Sequence, residues 1–373
     1  MLTRDFKGLS LPMLGFGCMR LPEKEGAIDE ETLGKMVDYA IAHGIKYFDT
    51  AWPYHRGTSE TAVGRALSRY PRESFFLADK FPGFDAGNFD KKEEIFEKQL
   101  SKCGVDYFDF YLLHNVNELN VDLYLSPEKG LLPYLLGQKE KGRIRHLGFS
   151  VHGDIPCLNR FLDAYGQYME FAQIQLNYLD YTFQNAEEKV AILSERGIPV
   201  WVMEPLRGGK LAVLSDERMK KLEALRPGVS APEWGFRFLQ NIPPVTVILS
   251  GMSDMAQLTE NIQIFETAAP LDKDEICALF DVADDIKREK TLPCTACRYC
   301  EGKCRQELPI STIIAAYNEY LLSGNLFRTR AKINTLPKFQ RPTACVGCRC
   351  CEKVCPQNIK IADVMAELEE KLK

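Results

Sequence analysis

No stretch of the 373-residue chain approaches the roughly 20 consecutive apolar residues that a membrane-spanning helix needs, which excludes a helical membrane protein. No run of lysines and arginines could track a phosphate backbone, and the net charge is −5, so a nucleic-acid partner is not expected. Arg4, Asp5 and Lys7 precede the first apolar stretch, so the N-terminus does not read as a secretory leader. No Gly-x-Gly-x-x-Gly turn follows an early strand, so the fingerprint of a doubly wound dinucleotide fold is missing. What is present is ordinary: 45% hydrophobic and 27% charged residues predict a soluble, cytoplasmic protein. The length exceeds one compact core and predicts a large domain with a smaller companion.

Cysteine is sparse over most of the chain. Cys18, Cys103, Cys157 and Cys277 are scattered over the first 293 residues, and the other nine of the thirteen lie between Cys294 and Cys355. In a reducing cytoplasm such tight groups bind metal more often than they form disulfides.

Apolar runs alternate with helical periodicity from Met13 onward. Strands are expected at Met13–Met19, Lys46–Thr50, Phe75–Lys80, Phe108–His114, Arg145–Ser150, Phe171–Gln175, Pro199–Met203 and Val245–Leu249. Helices are expected at Glu30–His43, Ser59–Tyr70, Lys91–Lys102, between Pro127 and Lys141, and at Ile155–Tyr165. They continue at Asn185–Arg196, Ala231–Gln240 and Met255–Thr267, with a short one from Asp216. Eight strands alternating with eight helices predict an α/β fold of the (β/α)8 TIM-barrel type over residues 1–270. Residues 271–373 read as a linker helix and a small, mainly helical domain.

Barrels of this kind place their chemistry at the C-terminal ends of the strands. Asp49, Lys80 and His114 stand at three successive strand exits, and Tyr54 lies just beyond the first of them. The spacings, 31 and 34 residues, are each one strand–helix unit, so the side chains should converge at one side of the mouth. A phenol is a weak acid with an ordinary pKa of about 10. A lysine beside it favours the phenolate and so makes Tyr54 a better proton donor. Asp49 would hold that lysine charged, and His114 would orient a substrate carbonyl. The set suits carbonyl reduction, and no nucleophile–base pair for acyl transfer is evident.

These residues resemble the aldo/keto reductase superfamily. FDTAWPYHRGTSE is similar to its FDTAxxYxxGxSE signature, and ADK and LLH to its lysine and histidine segments, over about residues 10 to 268. The resemblance implies Asp49, Tyr54, Lys80 and His114 as a catalytic tetrad, a small carbonyl substrate, and NAD(P)H as cofactor. It implies Ser150 and Gln173 at the nicotinamide carboxamide and Met203 beneath its ring. Pro205, Leu206, Gly208, Gly209 and Lys210 would cover the pyrophosphate. Ser250, Gly251, Met252, Ser253, Asp254, Gln257 and Asn261 would meet the adenosine half. Three positions depart from the family pattern: Val151 replaces an Asn, Met203 a Tyr, and Asp254 the basic residue that often meets a 2′-phosphate. An acidic Asp254 at the ribose would favour NAD(H); as a plain helix cap it would leave Arg207 or Lys210 to meet the phosphate. Trp52, Phe81 and Tyr124 suggest an aromatic pocket or, equally, core packing.

The tail carries Cys294-x2-Cys297-x2-Cys300-x3-Cys304 and Cys345-x2-Cys348-x2-Cys351-x3-Cys355-Pro356. That spacing is the bacterial two-cluster ferredoxin pattern, in which the fourth cysteine of each run serves the other cluster. One [4Fe–4S] cluster is thus expected on Cys294, Cys297, Cys300 and Cys355, the other on Cys345, Cys348, Cys351 and Cys304. Cys350 adds an ambiguity of register, and Arg305 stands where the second run has Pro356. The long spacer resembles the α-helical dicluster ferredoxins and marks the chain as similar to an iron–sulfur subgroup of the superfamily. Two zinc sites are the alternative. The functional alternative is a redox docking or sensor protein whose tail engages a partner redox protein.

Overall fold

The computed structural model describes residues 1–294, 296–355 and 357–373. Among these, eight strands close into a parallel barrel: Leu14–Gly17, Tyr47–Asp49, Phe76–Phe81, Phe108–Val116, Ile144–Val151, Ala172–Gln175, Val200–Met203 and Val245–Ser250. They follow one another round the ring in chain order, and the eighth pairs with the first at Ile248↔Leu14. Each expected strand is present within a few residues of its sequence bounds. Helices Glu30–Ala42, Ser59–Leu67, Lys92–Cys103, Leu131–Glu140, Ile155–Tyr165, Ala186–Glu195, Ala231–Gln240 and Met255–Glu266 flank them. Several begin on a side chain that accepts an otherwise unpaired N–H of the first turn: Asp29, Asp154, Ser230 and Asp254 all do so.

Side chains alternate along a strand, so residues i and i+2 share a face. Tyr47, Ala78, Phe110, Leu112, Phe171, Trp201, Val247 and Leu249 pack together as one apolar core. Two residues further along their strands stand Asp49, Lys80, His114, Gln173 and Met203, which forms a largely polar tier towards the mouth. The opposite end is closed by an antiparallel hairpin, Thr3–Phe6 with Leu9–Pro12, that no sequence expectation covered. Its Phe6 and Leu11 join the core, with the Phe6 ring edge-on to Trp201 at 5.1 Å. Burying each side chain contributes about 1.5–3 kcal/mol.

Two compact units divide the chain, Met1–Leu279 and Phe280–Lys373. The division falls inside the helix Lys273–Lys290 rather than at residue 270. The reason is a set of contacts that ties the first turn of this helix to the barrel unit: Arg226 donates to both oxygens of Glu275, at 2.7 and 2.8 Å.

The second unit contains helices Ile310–Ser323, Leu326–Asn334 and Ile361–Leu372 around one apolar core. It also contains an internal repeat with an offset of 51 residues. Cys300 and Cys351 share a helical backbone conformation, each followed by a single 3-10 turn that ends on Cys304 or Cys355 in extended conformation. Arg298 and Arg349 both have positive φ, at 61° and 56°, as do Glu307 and Asn358, at 51° and 53°. Glu301 accepts the N–H of Ser311, and Glu352 that of Ala362, each at 3.0 Å and each in the first turn of the helix that follows. Pro356 lies outside the described residues.

Candidate functional site

At the mouth of the barrel the second, third and fourth strands rise in register steps. Asp49 pairs with Ala78, two residues before Lys80; Lys80 pairs with Leu112, two residues before His114. The steps bring the three ionisable residues together on one face, with Tyr54 on the turn just beyond Asp49. Lys80 Nζ donates to Asp49 Oδ1 at 2.5 Å and to the Thr50 carbonyl at 2.8 Å, and lies 3.5 Å from Tyr54 Oη. The rings of Tyr54 and His114 meet edge-on with centroids 6.1 Å apart. Tyr124 Oη donates to the His114 carbonyl at 2.6 Å and fixes that strand end.

Burial alone would discharge Lys80, but Asp49 holds its ammonium above the ordinary lysine range. Burial raises Asp49, and the same ammonium draws it back. Tyr54 corrects the expectation of an acidified phenol. Burial raises it above 10, and Lys80 offsets only part of that rise. The phenol therefore keeps its proton at neutral pH, with the ammonium 3.5 Å from its oxygen. His114 is held well below the ordinary histidine range, first by burial and then by Lys80, so its ring is neutral. Its Nδ1 is buried without a hydrogen-bond partner among the described residues.

Next to this group, Ser150 and Gln173 are register partners on the fifth and sixth strands. Ser150 Oγ accepts the N–H of Asn115 at 2.7 Å, while Gln173 Oε1 is buried and unpartnered among the described residues. Met203 ends the seventh strand, half-buried, and Pro205 and Leu206 follow it. The loop then turns through left-handed backbone at Arg207, Gly208 and Gly209, leaving the glycines and Lys210 exposed. Ser250 is buried and accepts from Asn261 at 3.1 Å; Met252 is also buried, and Gly251, Ser253 and Gln257 are exposed.

Two expected residues are engaged elsewhere. Arg207 is buried, and its Nε lies 3.1 Å from both oxygens of Asp180, which also accepts from Gln175 and Asn177. It therefore fastens its loop to the short helix Asp180–Phe183 that follows the sixth strand, which engages its charge there. Asp254 spends both oxygens on Gln257, at 2.8 Å to the N–H and 2.9 Å to the side-chain amide, and is a helix cap. A residue that sequence reasoning missed is Arg20. A Cβ at Gly251 would lie 3.1–3.2 Å from its stem, and one at Gly208 would lie 2.8 Å from its Nη2. Both glycines thus make room for one exposed guanidinium between the loops that follow the seventh and eighth strands. Phe81 and Tyr124 belong to the core, whereas Trp52 is half-buried with Lys102 4.2 Å over its ring.

Residues 13–284 match the model of the aldo/keto reductase family. The chain belongs to that family. It is an NAD(P)-dependent oxidoreductase that reduces carbonyls, built on an eight-stranded parallel barrel with a helical C-terminal region. Among its relatives, an uncharacterised oxidoreductase of Bacillus subtilis is 28% identical over 303 residues, covering 73% of this chain and 92% of that protein. An NADH-specific methylglyoxal reductase of Escherichia coli is 26% identical, covering 54% and 66%. The holo form of an aldo-keto reductase from Bacillus halodurans superposes with a TM-score of 0.63 at 25% identity, covering 76% of this chain and 96% of that one. No helix among the described residues of the reductase is long and apolar enough to cross a membrane.

In the second unit, Cys304, Cys345, Cys348 and Cys351 line one small cavity that opens to solvent, together with Arg305, Val346 and Arg349. Cys350 is not among its lining residues. Of the other set, Cys300 is buried, Cys294 and Cys355 pack on the same core, and Cys297 is exposed. Among the described residues no three His, Cys, Asp or Glu side chains converge closely enough to hold a single metal ion.

Proposed function

We propose that this reductase protonates the carbonyl oxygen from Tyr54, with Lys80, Asp49 and His114 as its supporting set. The observation that carries the reading is the buried chain Asp49–Lys80–Tyr54, at 2.5 and 3.5 Å, opening beside a neutral His114. His114 can donate a hydrogen bond to the carbonyl without contributing a competing acid. Tyr54 releases its proton as charge develops on the oxygen, and the Lys80 ammonium takes up the resulting phenolate charge. Asp49 keeps that ammonium in place. The nicotinamide cofactor, when bound, supplies the hydride.

The polar groups present fit that cofactor. Gln173 Oε1 is a buried acceptor suited to a carboxamide, Ser150 stands beside it, and Met203 offers an apolar surface at the strand end. Gly208, Gly209, Lys210 and Arg20 would face the phosphates, with Pro205 and Leu206 anchoring their loop. Gly251, Ser253 and Gln257 would meet the adenosine half, while Ser250, Met252 and Asn261 support it from within. Two relatives are named methylglyoxal reductases, which makes small reactive aldehydes the first substrates to try.

The same reading assigns residues 271–373 to a linker helix and a ferredoxin-like domain with two [4Fe–4S] clusters. Its support is the cavity in which Cys304, from the first group, stands with Cys345, Cys348 and Cys351 of the second. A zinc ion needs four sulfurs at one point, about 2.3 Å away, whereas each thiolate of a cluster meets its own iron around a wider body. Cys294, Cys297, Cys300 and Cys355 would hold the second cluster by the 51-residue repeat. Clusters carry electrons singly and would serve storage, exchange with a redox partner protein, or structure. Exposed Tyr299 and Val346, each beside cluster cysteines, favour a partner.

Tyr54→Phe should lower turnover of methylglyoxal with NADH or NADPH at least tenfold while cofactor affinity holds; retention above about a tenth of wild-type turnover sinks the assignment. Anaerobically purified protein should contain about eight irons per chain. Stoichiometric zinc without iron would refute the clusters.

A further inference from the structure

The turn that carries Tyr54 has an unusual backbone. His55 (φ 49°, ψ 46°) and Arg56 (φ 56°, ψ 31°) both adopt left-handed conformations, and Gly57 follows at φ 88°. A residue with a Cβ pays for that conformation, and two in succession persist only where the surroundings enforce them. Part of the enforcement is backbone closure: the N–H of Tyr54 donates to the Ala51 carbonyl at 3.0 Å, and Thr58 Oγ1 donates to the His55 carbonyl at 2.7 Å. The rest comes from the His55 ring, whose side chain is only 8% exposed.

Both ring nitrogens are committed. His55 Nε2 accepts the N–H of Leu21 at 3.0 Å, and Nδ1 lies 2.9 Å from Glu23 Oε1. A backbone N–H can only donate, so Nε2 offers its lone pair and the proton sits on Nδ1, where it donates to Glu23. Leu21 directly follows Arg20, whose side chain lies along Gly251 and reaches Gly208. One imidazole thereby ties the turn bearing the phenol to the loop bearing the cofactor-side guanidinium.

We propose that His55 is a positioning residue: its two hydrogen bonds hold the strained Tyr54–Gly57 turn so that the phenol stays beside Lys80 and aligned with the cofactor. The proposal rests on the reading of Tyr54 as proton donor. His55 touches no reacting atom. Its loss should show in the chemical step more than in cofactor affinity, because Ser253 Oγ donates to the Arg20 carbonyl at 3.0 Å and holds that loop independently.

The test compares His55→Ala, His55→Gln and Tyr54→Phe in single-turnover reduction of methylglyoxal, with NADH and NADPH affinity measured by titration. His55→Ala should lower the single-turnover rate at least tenfold with cofactor affinity changed less than threefold. His55→Gln, whose amide oxygen can accept from Leu21, should recover a substantial part of that loss. A rate within twofold of wild type for His55→Ala overturns the proposal, as does a glutamine no better than alanine, or a parallel loss of rate and affinity. If His55→Ala does not fold, Glu23→Ala, at a half-exposed position, removes the Nδ1 partner alone; an unchanged rate there also overturns it. An active Tyr54→Phe would instead overturn the underlying assignment of the proton donor.

Discussion

Replacing Lys80 by methionine separates what the buried ion pair does for stability from what it does for chemistry. The Lys80 side chain is fully buried and that of Asp49 is 3% exposed, so solvent screens neither charge. Lys80→Met strands a carboxylate in the barrel, and breaking a buried pair from one side costs about 3–5 kcal/mol. It also deprives the Thr50 carbonyl of its donor, worth about 1 kcal/mol. The double variant Asp49→Asn/Lys80→Met buries no charge and should recover most of the first term, roughly 2–4 kcal/mol. Turnover should not follow. With no ammonium beside Tyr54, both variants should stay about a hundredfold or more below wild type. Denaturant unfolding can be followed by tryptophan fluorescence, because Trp52, Trp201 and Trp234 all lie in the barrel unit and report on it alone. Single-turnover oxidation of NADH or NADPH with methylglyoxal gives the other half. A double variant as unstable as Lys80→Met would refute the stranded-charge argument; one that regains turnover would refute the role of the ammonium.

Asp254→Asn keeps the helix cap and removes its charge, so the ratio of NADH to NADPH affinity should change less than about twofold, while Asp254→Ala should cost about 1 kcal/mol of stability. A tenfold shift towards NADPH in binding titrations of the Asn variant would show that the carboxylate faces the ribose after all. Glu170 tests the closed end of the barrel, where it accepts from Lys7 at 2.7 Å, His146 at 3.0 Å, the Leu147 N–H at 3.2 Å, and Lys139. Burial would raise its carboxyl, but these donors outweigh burial and hold it well below the ordinary range. Stability from a depressed carboxyl is complete above its ordinary pKa of about 4.3 and is lost as pH falls below it. Glu170→Gln should therefore cost more at pH 7 than at pH 3, and an equal cost at both would contradict the ionised network.

The barrel was legible because its strands are short apolar runs, each followed by a periodic helix, and one such unit separates Asp49 from Lys80 and Lys80 from His114. The convergence of those side chains needed only the regularity of the ring. Residues whose placement depends on loops were not legible. Arg207 sits in a glycine-rich stretch and reads as a phosphate ligand, but its partner Asp180 lies 27 residues away on a different strand exit. Arg20 leaves no local mark either; the space it occupies is recorded in Gly208 and Gly251, far along the chain. Asp254 was open because Ser-Asp before a helix can be both a cap and a ribose contact, and its hydrogen bonds show the cap. The N-terminal hairpin escaped because half of Thr3–Pro12 is polar, with Phe6, Leu11 and Pro12 its buried residues.

The 51-residue repeat in the second unit bears on how that unit is put together. Cys304 closes the first half in sequence, yet it lines the cavity of Cys345, Cys348 and Cys351. In the cluster reading, each half lends one sulfur to the other, so neither half is a complete unit by itself. Loading one site would then order the loop that carries a sulfur of the other, and losing one cluster would loosen the run on which its neighbour's borrowed ligand stands. A chain cut in the spacer between the groups would forfeit both sites, not one. Iron supply would act on this region as a single on-or-off condition, with little room for a half-filled state.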